Sequence, residues 1–573
     1  MNRASLRRYV HSTFIDLAGR PTPLVLLLAA LAYVCLALRL IHPQYIENDD
    51  LTIVDFVMRG FDVRYAGVLF TDLLHRLYVL APRVPWYGLA LYAAHVLALT
   101  LWFGLLWRVL RPAWLATAAC LLLCAAYLVF LFYLNYTSTS VMLCMAAAAG
   151  LCLDLMEGRD GWRRTAGLGL MFMLGAWVRP QGAEGVLVYA LPLLLVAVCV
   201  APRREGMQSK LRHCALAVLL FGAPALANYA TDTALRAYTA TPQQQAYDAF
   251  NLPRGHLQRL SRPAKKLIMD DDALLASAHW KRNDAVAFFN WNFLDERIYN
   301  PDALNTLLEG RPAARVDRAW VDQTLLKGLH GRIPLFLLLA ACLPLFAGCL
   351  RRRPLPALLG LALPLWCVTV SSYMFLFYSY TYRVELPYEV GFAFASLILG
   401  AVLLREAAAS RAQALLGSAA LAIMLYGCAR LVHSEYLNHH NAPGAHMALV
   451  RELQLLNSQY PGSTILMQPK AGLPMEKSSP LQVQQLRFTP IQLGWSTFSP
   501  RFYQQLEPLG IRHGYEVVEA LATHPDAYVI CAPGWCRTLI NHAGGGYTLE
   551  EVHKVRSTLS LYRLHRAEPP AQH

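Results

Sequence analysis

Runs of about twenty apolar residues, the length that crosses the hydrocarbon core of a bilayer, recur through most of this 573-residue chain. About eleven can be marked, near 22–43, 86–108, 113–134, 138–157, 165–178, 184–201, 213–230, 333–350, 355–378, 386–404 and 412–432. Hydrophobic residues make up 56% of the sequence and charged residues only 15%, which excludes an ordinary soluble protein. The expected fold is mainly α: a polytopic membrane protein of about 11 transmembrane helices. A basic segment with Arg3, Arg7, Arg8 and Arg20 leads into a full-length first span, so a cleavable signal is not expected.

Lys and Arg set the orientation of such a chain. With the N-terminus in the cytoplasm, the cytoplasmic segments carry 18 of them. The short outer segments carry six: Arg59, Arg64, Arg76, Arg83, Arg179 and Arg383. The net charge of +14 then reflects topology and anionic lipid. No helix-turn-helix, zinc-finger or RNA-binding motif points to nucleic acid.

This topology makes 1–432 a transmembrane module with outer loops at 44–85 and 231–332, and 433–573 a small extracytoplasmic domain. The tail alternates helix-like runs (Met447–Leu456, 499–508, 515–523) with strand-like ones (Ser463–Gln468, Ala527–Cys531, Tyr547–Val555, Thr558–His565). That is the pattern of an α/β domain. Its Gly544-Gly545-Gly546 follows neither a Rossmann nor a P-loop pattern. Eleven of the 13 cysteines lie in or beside spans, as small apolar fillers. Only Cys531 and Cys536 fall in the tail. An oxidising compartment and a tight turn at Pro533-Gly534 predict a disulfide between them.

The chemistry gathers where spans end. Directly after the first span comes Asn48-Asp49-Asp50, followed by two apolar-periodic runs with Gly60 after the first. These read as two short amphipathic helices on the membrane face, with the acids capping the first or working at the boundary. Spans three and four meet at Asn135-Tyr136-Thr137-Ser138, which also matches a glycosylation acceptor. Spans five and six meet at Arg179, which either snorkels or meets an anion. Spans nine and ten meet at Tyr382-Arg383-Val384-Glu385-Leu386-Pro387. There Arg383 either pairs with Glu385 or Glu389 or grips a phosphate with its planar fork. In the 231–332 loop, Asp270-Asp271-Asp272 reads as an N-cap cluster, with a metal role as the lesser alternative. Phe288-Phe289-Asn290-Trp291-Asn292-Phe293 suits a sugar ring or the membrane interface.

Together these pieces resemble the GT-C superfamily of integral-membrane glycosyltransferases, which includes protein O-mannosyltransferases and the aminoarabinose transferase of lipid A. The family places an acidic pair after the first span, then two helices on the membrane, and a long outer loop after span seven. Here the pair is Asp49-Asp50, and the family's Arg-Tyr-Leu-Leu-Pro turn becomes Arg383-Val384-Glu385-Leu386-Pro387. The resemblance implies a GT-C-like fold over about 1–405 and transfer of a sugar from a polyprenyl-phosphate donor. The acceptor is a hydroxyl of an extracytoplasmic glycan, lipid or protein. Asp49 and Asp50 are the expected catalytic residues and Arg383 and Arg179 the lipid-phosphate ligands, with Asn135, Tyr382 and Glu385 as candidate pocket residues.

The chemistry fits this independently. Nucleotide sugars are not supplied outside, so a donor arrives in the bilayer. Transfer needs a base for the acceptor hydroxyl and positive charge for the departing phosphate. A cofactor is not required by these steps, and a divalent metal is left open. The expected location is the plasma (inner) membrane, multi-pass. Two other classes stand beside this one: a ligase or polymerase of lipid-linked polysaccharide, and a lipid or glycan flippase. A flippase carries ionisable groups at mid-membrane and inverted repeats. Here His95 is the main such group, and no internal repeat is found.

Overall fold

The computed structural model describes residues 21–41, 43–45, 48–110, 113–159, 161–200, 215, 218–311, 339–343, 354–377, 382–406, 411–440, 443–469, 479–483, 485–555 and 558–567. Helix α1 (Pro23–Leu40) opens with proline at its first turn, where a missing N–H costs nothing. A two-residue strand β1 (Gln44–Tyr45) follows, then α2 (Asn48–Arg59) and α3 (Val68–Leu80). Gly60, at φ 76°, ends α2 with Phe61 N–H donating to Phe56 O at 2.9 Å, a left-handed cap that only glycine adopts cheaply. On α3, Leu69, Leu73, Val79 and Leu80 are exposed, as expected of a helix resting on lipid.

The apolar bundle continues with α4 (Trp86–Val109), α5 (Ala113–Phe132), the two-residue strand β2 (Tyr133–Leu134), α6 (Tyr136–Glu157), α7 (Trp162–Val178) and α8 (Pro180–Val200). Among the described residues, six helices are long and apolar enough to cross a membrane: Pro23–Leu40, Trp86–Val109, Ala113–Phe132, Tyr136–Glu157, Pro180–Val200 and Val384–Leu404. The expected short span at 165–178 is α7. That at 213–230 falls on a π turn at Val218–Gly222 and the start of α9 (Ala223–Thr239). The span expected at 333–350 lies mostly outside the described residues. Helices α15 (Pro354–Phe377), α16 (Tyr382–Glu406) and α17 (Arg411–His440) occupy the remaining expected positions.

Helix α6 is buried along nearly its whole length. Its small residues permit this. A Cβ on Gly150 would meet Leu168 of α7 at 2.8 Å, and one on Gly175 would run into Cys144 of α6. Polar groups lie at the helix ends. At the ends of α4 and α6, Arg108 binds Asp154 at 2.6 Å and also pairs with Glu157, while Arg164 binds Asp154 at 2.7 Å. Between the ends, His95 is fully buried but satisfied. Thr139 Oγ1 donates to Asn135 O at 2.8 Å, so His95 Nε2–H donates to Thr139 at 3.0 Å and Tyr127 donates to Nδ1 at 3.0 Å.

Outside the bundle, α10 (Pro242–Gln258), α11 (Arg262–Met269), α12 (Asp272–Ser277), α13 (Arg282–Phe289) and α14 (Pro301–Glu309) precede α15. After α18 (Pro443–Gln459) come β3 (Thr464–Met467), β4 (Thr489–Gln492), α19 (Pro500–Leu506), α20 (Val517–Thr523), β5 (Ala527–Cys531), α21 (Pro533–His542), β6 (Tyr547–Lys554) and β7 (Ser560–Arg566). The five strands order as β4-β3-β5-β7-β6, the first three parallel and the last two added antiparallel. β3 and β5 are buried throughout and read as unbroken apolar runs, as inner parallel strands do.

The tail does not close its core alone. Phe250, Phe288, Phe293 and Leu304 of the 242–309 segment share one hydrophobic cluster with Leu466, Phe498, Phe502 and Val529 of the tail.

Two local expectations are corrected. The expected turn at Pro533-Gly534 is the first turn of α21, because proline at its first position has the φ a helix needs. In the aromatic run at 288–293, Phe288 and Phe293 face neither a sugar nor the membrane, because both are core residues.

Candidate active site

Asp49 and Asp50 occupy the first turn of α2, where the helix end favours negative charge. Asp50 is fully buried. Its Oδ1 accepts from the Tyr87 hydroxyl at 2.7 Å and from the Tyr136 backbone N–H at 3.2 Å. Tyr87 lies at the start of α4 and Tyr136 at the start of α6, so the Asp50 carboxylate sits at the N-terminal ends of two helices, α2 and α6. The alignment is set just upstream. β1 and β2 pair in parallel, Gln44 against Tyr133 and Tyr45 against Leu134, which ties the chain after α1 to the chain before α6. Asp49, next to Asp50, is only half-buried.

Asn135, an expected pocket residue, is buried as the N-cap of α6: its Oδ1 accepts from Ser138 N at 2.8 Å. That role leaves it covered, and the glycosylation reading does not hold for it. Arg179 joins the same helix start. It follows α7, stacks its guanidinium 4.6 Å over the Tyr136 ring, and donates to the Thr137 hydroxyl. Ser140 Oγ donates to Arg179 O at 3.0 Å. Thus Asp50, Asn135 and Arg179, far apart in sequence, meet around the first turn of α6.

Helix α16 approaches this cluster through α8. Tyr388 donates to Gly182 O at 3.2 Å and stacks on Tyr189 with ring centroids 4.8 Å apart. Gly185 makes room, since a Cβ there would collide with the Tyr388 ring. Glu385 is fully buried in the first turn of α16. Glu389 is also buried and accepts from Ser371 Oγ at 2.9 Å, which meets the Tyr189 hydroxyl at 3.1 Å. Tyr382 and Arg383 belong to α16, but their side chains lie outside the described ones.

Sequence reasoning missed a second set of residues, from the tail, that seat α2. Arg501 forks onto Asp55 at 2.7 and 3.2 Å, and Thr52 donates to Gln492 Oε1 at 3.0 Å. The Trp495 ring packs against Phe56 at 5.1 Å and edge-on to Tyr65 at 5.5 Å. No local pattern marks these, because each contact spans hundreds of residues. The linker between α2 and α3 is seated as well. Gly67 N donates to Trp177 O at 2.8 Å, Asp232 caps α3 through Val68 N at 2.7 Å, and Arg236 pairs with Asp62.

Other candidates lie elsewhere. Asp271 caps α12 through Leu274 N at 2.9 Å, and Asp270 pairs with Arg282 at 2.7 Å. Among the described residues no group of three His, Cys, Asp or Glu is arranged to hold a metal ion. Cys531 and Cys536 are joined by a disulfide, with Cα atoms 6.0 Å apart, linking the end of β5 to α21.

The site is a gathering of charged groups at one end of the helix bundle: a half-buried carboxylate, a carboxylate fixed by two donors and a guanidinium. The chain is similar to a solved structure, the crystal structure of ArnT from Cupriavidus metallidurans bound to undecaprenyl phosphate, at 14% identity and a TM-score of 0.40. The match covers 95% of this chain and 99% of that one. No protein-family model matches the sequence, and no curated protein matches it.

Proposed function

We propose that the protein is a membrane glycosyltransferase that moves a sugar from a polyprenyl-phosphate donor to a hydroxyl of an extracytoplasmic acceptor. The observation that carries this reading is the pairing of Asp49, half-buried, with Asp50, whose Oδ1 is held by Tyr87 and Tyr136. A carboxylate already committed to two donors is a poor acceptor for a substrate proton. Its neighbour on the same turn, Asp49, is the more exposed of the two.

In this reading Asp49 takes the proton of the acceptor hydroxyl as that oxygen bonds to the anomeric carbon. The bond from that carbon to the phosphate oxygen breaks, and the electron pair leaves with the polyprenyl phosphate. Arg383, with Arg179, stabilises the charge of that leaving group. Asp50 positions Asp49 by fixing the first turn of α2 against α6. The scheme has about eleven spans in the plasma membrane, a cytoplasmic N-terminus, and residues 433–573 outside. None of these steps requires a metal ion, and a divalent metal is left open.

The test is transfer in proteoliposomes loaded with polyprenyl-phosphate sugars and an extracted envelope acceptor. Release of polyprenyl phosphate together with a new glycoside supports the reading. Movement of intact donor across the bilayer without glycoside formation contradicts it and favours the flippase class.

A further inference from the structure

A polar cluster outside the site described above has the make-up of a second binding site. Helix α10 and the turn at 288–293 run against each other in register. Gln258 Nε2 donates to Phe288 O at 2.6 Å, the Arg254 guanidinium lies 5.2 Å over the Trp291 ring, and Phe250 meets Phe293 at 5.9 Å. Asn292 lies in the chain between Trp291 and Phe293.

Arg254 is almost fully buried, yet among the described residues it has no carboxylate partner. Its Nε and Nη2 donate to Asn251 Oδ1, the first at 2.9 Å, and Nη2 donates also to the Tyr65 hydroxyl at 3.1 Å. Asp248, earlier on the same helix, is already paired with Arg64 at 2.6 Å. A buried guanidinium held only by neutral groups is costly unless an anion completes it.

A second observation concerns amides. Asn292 is 1% exposed, and neither its Oδ1 nor its Nδ2 has a hydrogen-bond partner among the described residues. Asn251 Nδ2 and Gln258 Oε1 are likewise without one. Native interiors pair such groups nearly always, with protein, water or ligand. Trp291 holds φ 62°, a left-handed conformation unusual for a bulky side chain.

An aromatic face, amides offering both donors and acceptors, and one cation recognise a hydroxylated ring that carries negative charge. The site also borders α2. Tyr65 touches Arg254 on one side and Trp495 on the other, and Trp495 packs on Phe56 of α2.

We propose that Arg254, Trp291, Asn251, Asn292 and Gln258 form a subsite for an anionic saccharide, such as a uronic acid unit. Its role as the place where the acceptor docks rests on the glycosyltransferase reading. Its existence as a binding site does not.

Ligand-observed NMR titration of the full chain in lipid nanodiscs tests it, with glucuronate, glucose and inorganic phosphate as probes. Glucuronate should bind at least about tenfold more tightly than glucose or phosphate, the scale of one charge-assisted hydrogen bond. Arg254→Gln should remove that preference and leave glucose unchanged, and Asn292→Ala should weaken both sugars. Asp49→Asn should bind glucuronate as the parent does, so a failed transfer reaction leaves this site standing. If Arg254→Gln does not fold, Arg254→Lys carries the same test, keeping the charge but losing the planar fork, and should weaken glucuronate binding while leaving glucose unchanged. No glucuronate binding by the folded parent, or unchanged binding in both Arg254→Gln and Asn292→Ala, overturns the proposal. Phosphate binding as tightly as glucuronate overturns the saccharide assignment.

Discussion

Arg501 and Asp55 are 446 residues apart in sequence and meet in a two-point fork, Nε to Oδ2 at 2.7 Å and Nη2 to Oδ1 at 3.2 Å. The contact fastens the tail to α2, the helix that carries Asp49 and Asp50. Arg501 is buried, while Asp55 keeps about a third of its side chain exposed and also accepts from Arg59. Arg501→Lys keeps the charge but loses the fork. A double-mutant cycle of Arg501→Lys with Asp55→Asn, read by thermal unfolding, should give a coupling on the order of 1 kcal/mol, weakened by salt. Additive effects would mean that the pair does not seat α2.

Tyr87→Phe removes one of the two donors on Asp50 Oδ1 without changing the ring packing. A lost hydrogen bond to a charged group costs about 1.5–3 kcal/mol. Turnover should fall with little change in KM, because the hydroxyl meets Asp50 rather than substrate. A change in KM alone, with turnover intact, would place Tyr87 in substrate binding instead.

Arg383→Lys should impair transfer, and Arg383→Ala should nearly abolish it, if the guanidinium meets the lipid phosphate in a planar fork. Arg179→Ala should have the smaller effect, since Arg179 already stacks on Tyr136 and donates to Thr137. Binding of polyprenyl phosphate, measured directly, separates this from a folding defect. Unchanged donor affinity in Arg383→Ala would leave Arg383 as an ion-pair residue of α16.

The region where α13 meets α21 should lose stability in acid for a nameable reason. Burial raises the Asp284 carboxyl, but hydrogen bonds from His542 and the Lys281 amide outweigh it and hold the group below its ordinary value. A depressed carboxylate contributes stability above its unfolded pKa and loses it as pH falls through the folded one. Thermal unfolding followed below the ordinary carboxylate range should therefore show a falling limb. In Asp284→Asn that limb should be shallower and the stability near neutral pH lower. An identical acid limb in both proteins would remove Asp284 from the account.

Much of this was legible in the sequence wherever the signal is local. The spans are read from continuous apolar length, and the first-turn position of Asp49 and Asp50 from the residues that follow them. β3 and β5 announce themselves as short unbroken apolar runs. β4 does not, because Thr489-Pro490-Ile491-Gln492 carries a proline and is set by pairing with β3. The contact of Asp50 with the Tyr136 N–H could not be read, because its donor is a backbone group 86 residues away. The 288–293 aromatics were misleading for a related reason. Ring-rich sequence looks the same facing lipid, sugar or core, and here Phe288 and Phe293 go into a core shared with the tail.

The most direct measurement compares single-turnover transfer by Asp49→Asn and Asp50→Asn, both shown to be folded in membranes. A general base contributes roughly 10²–10⁴-fold. Asp49→Asn should lose that much with normal donor binding and normal thermal stability, because Asp49 is only half-buried. Asp50→Asn should instead lower stability together with rate, because its carboxylate is fully buried and ties α2 to α4 and α6. Near-normal transfer by Asp49→Asn would contradict the central claim.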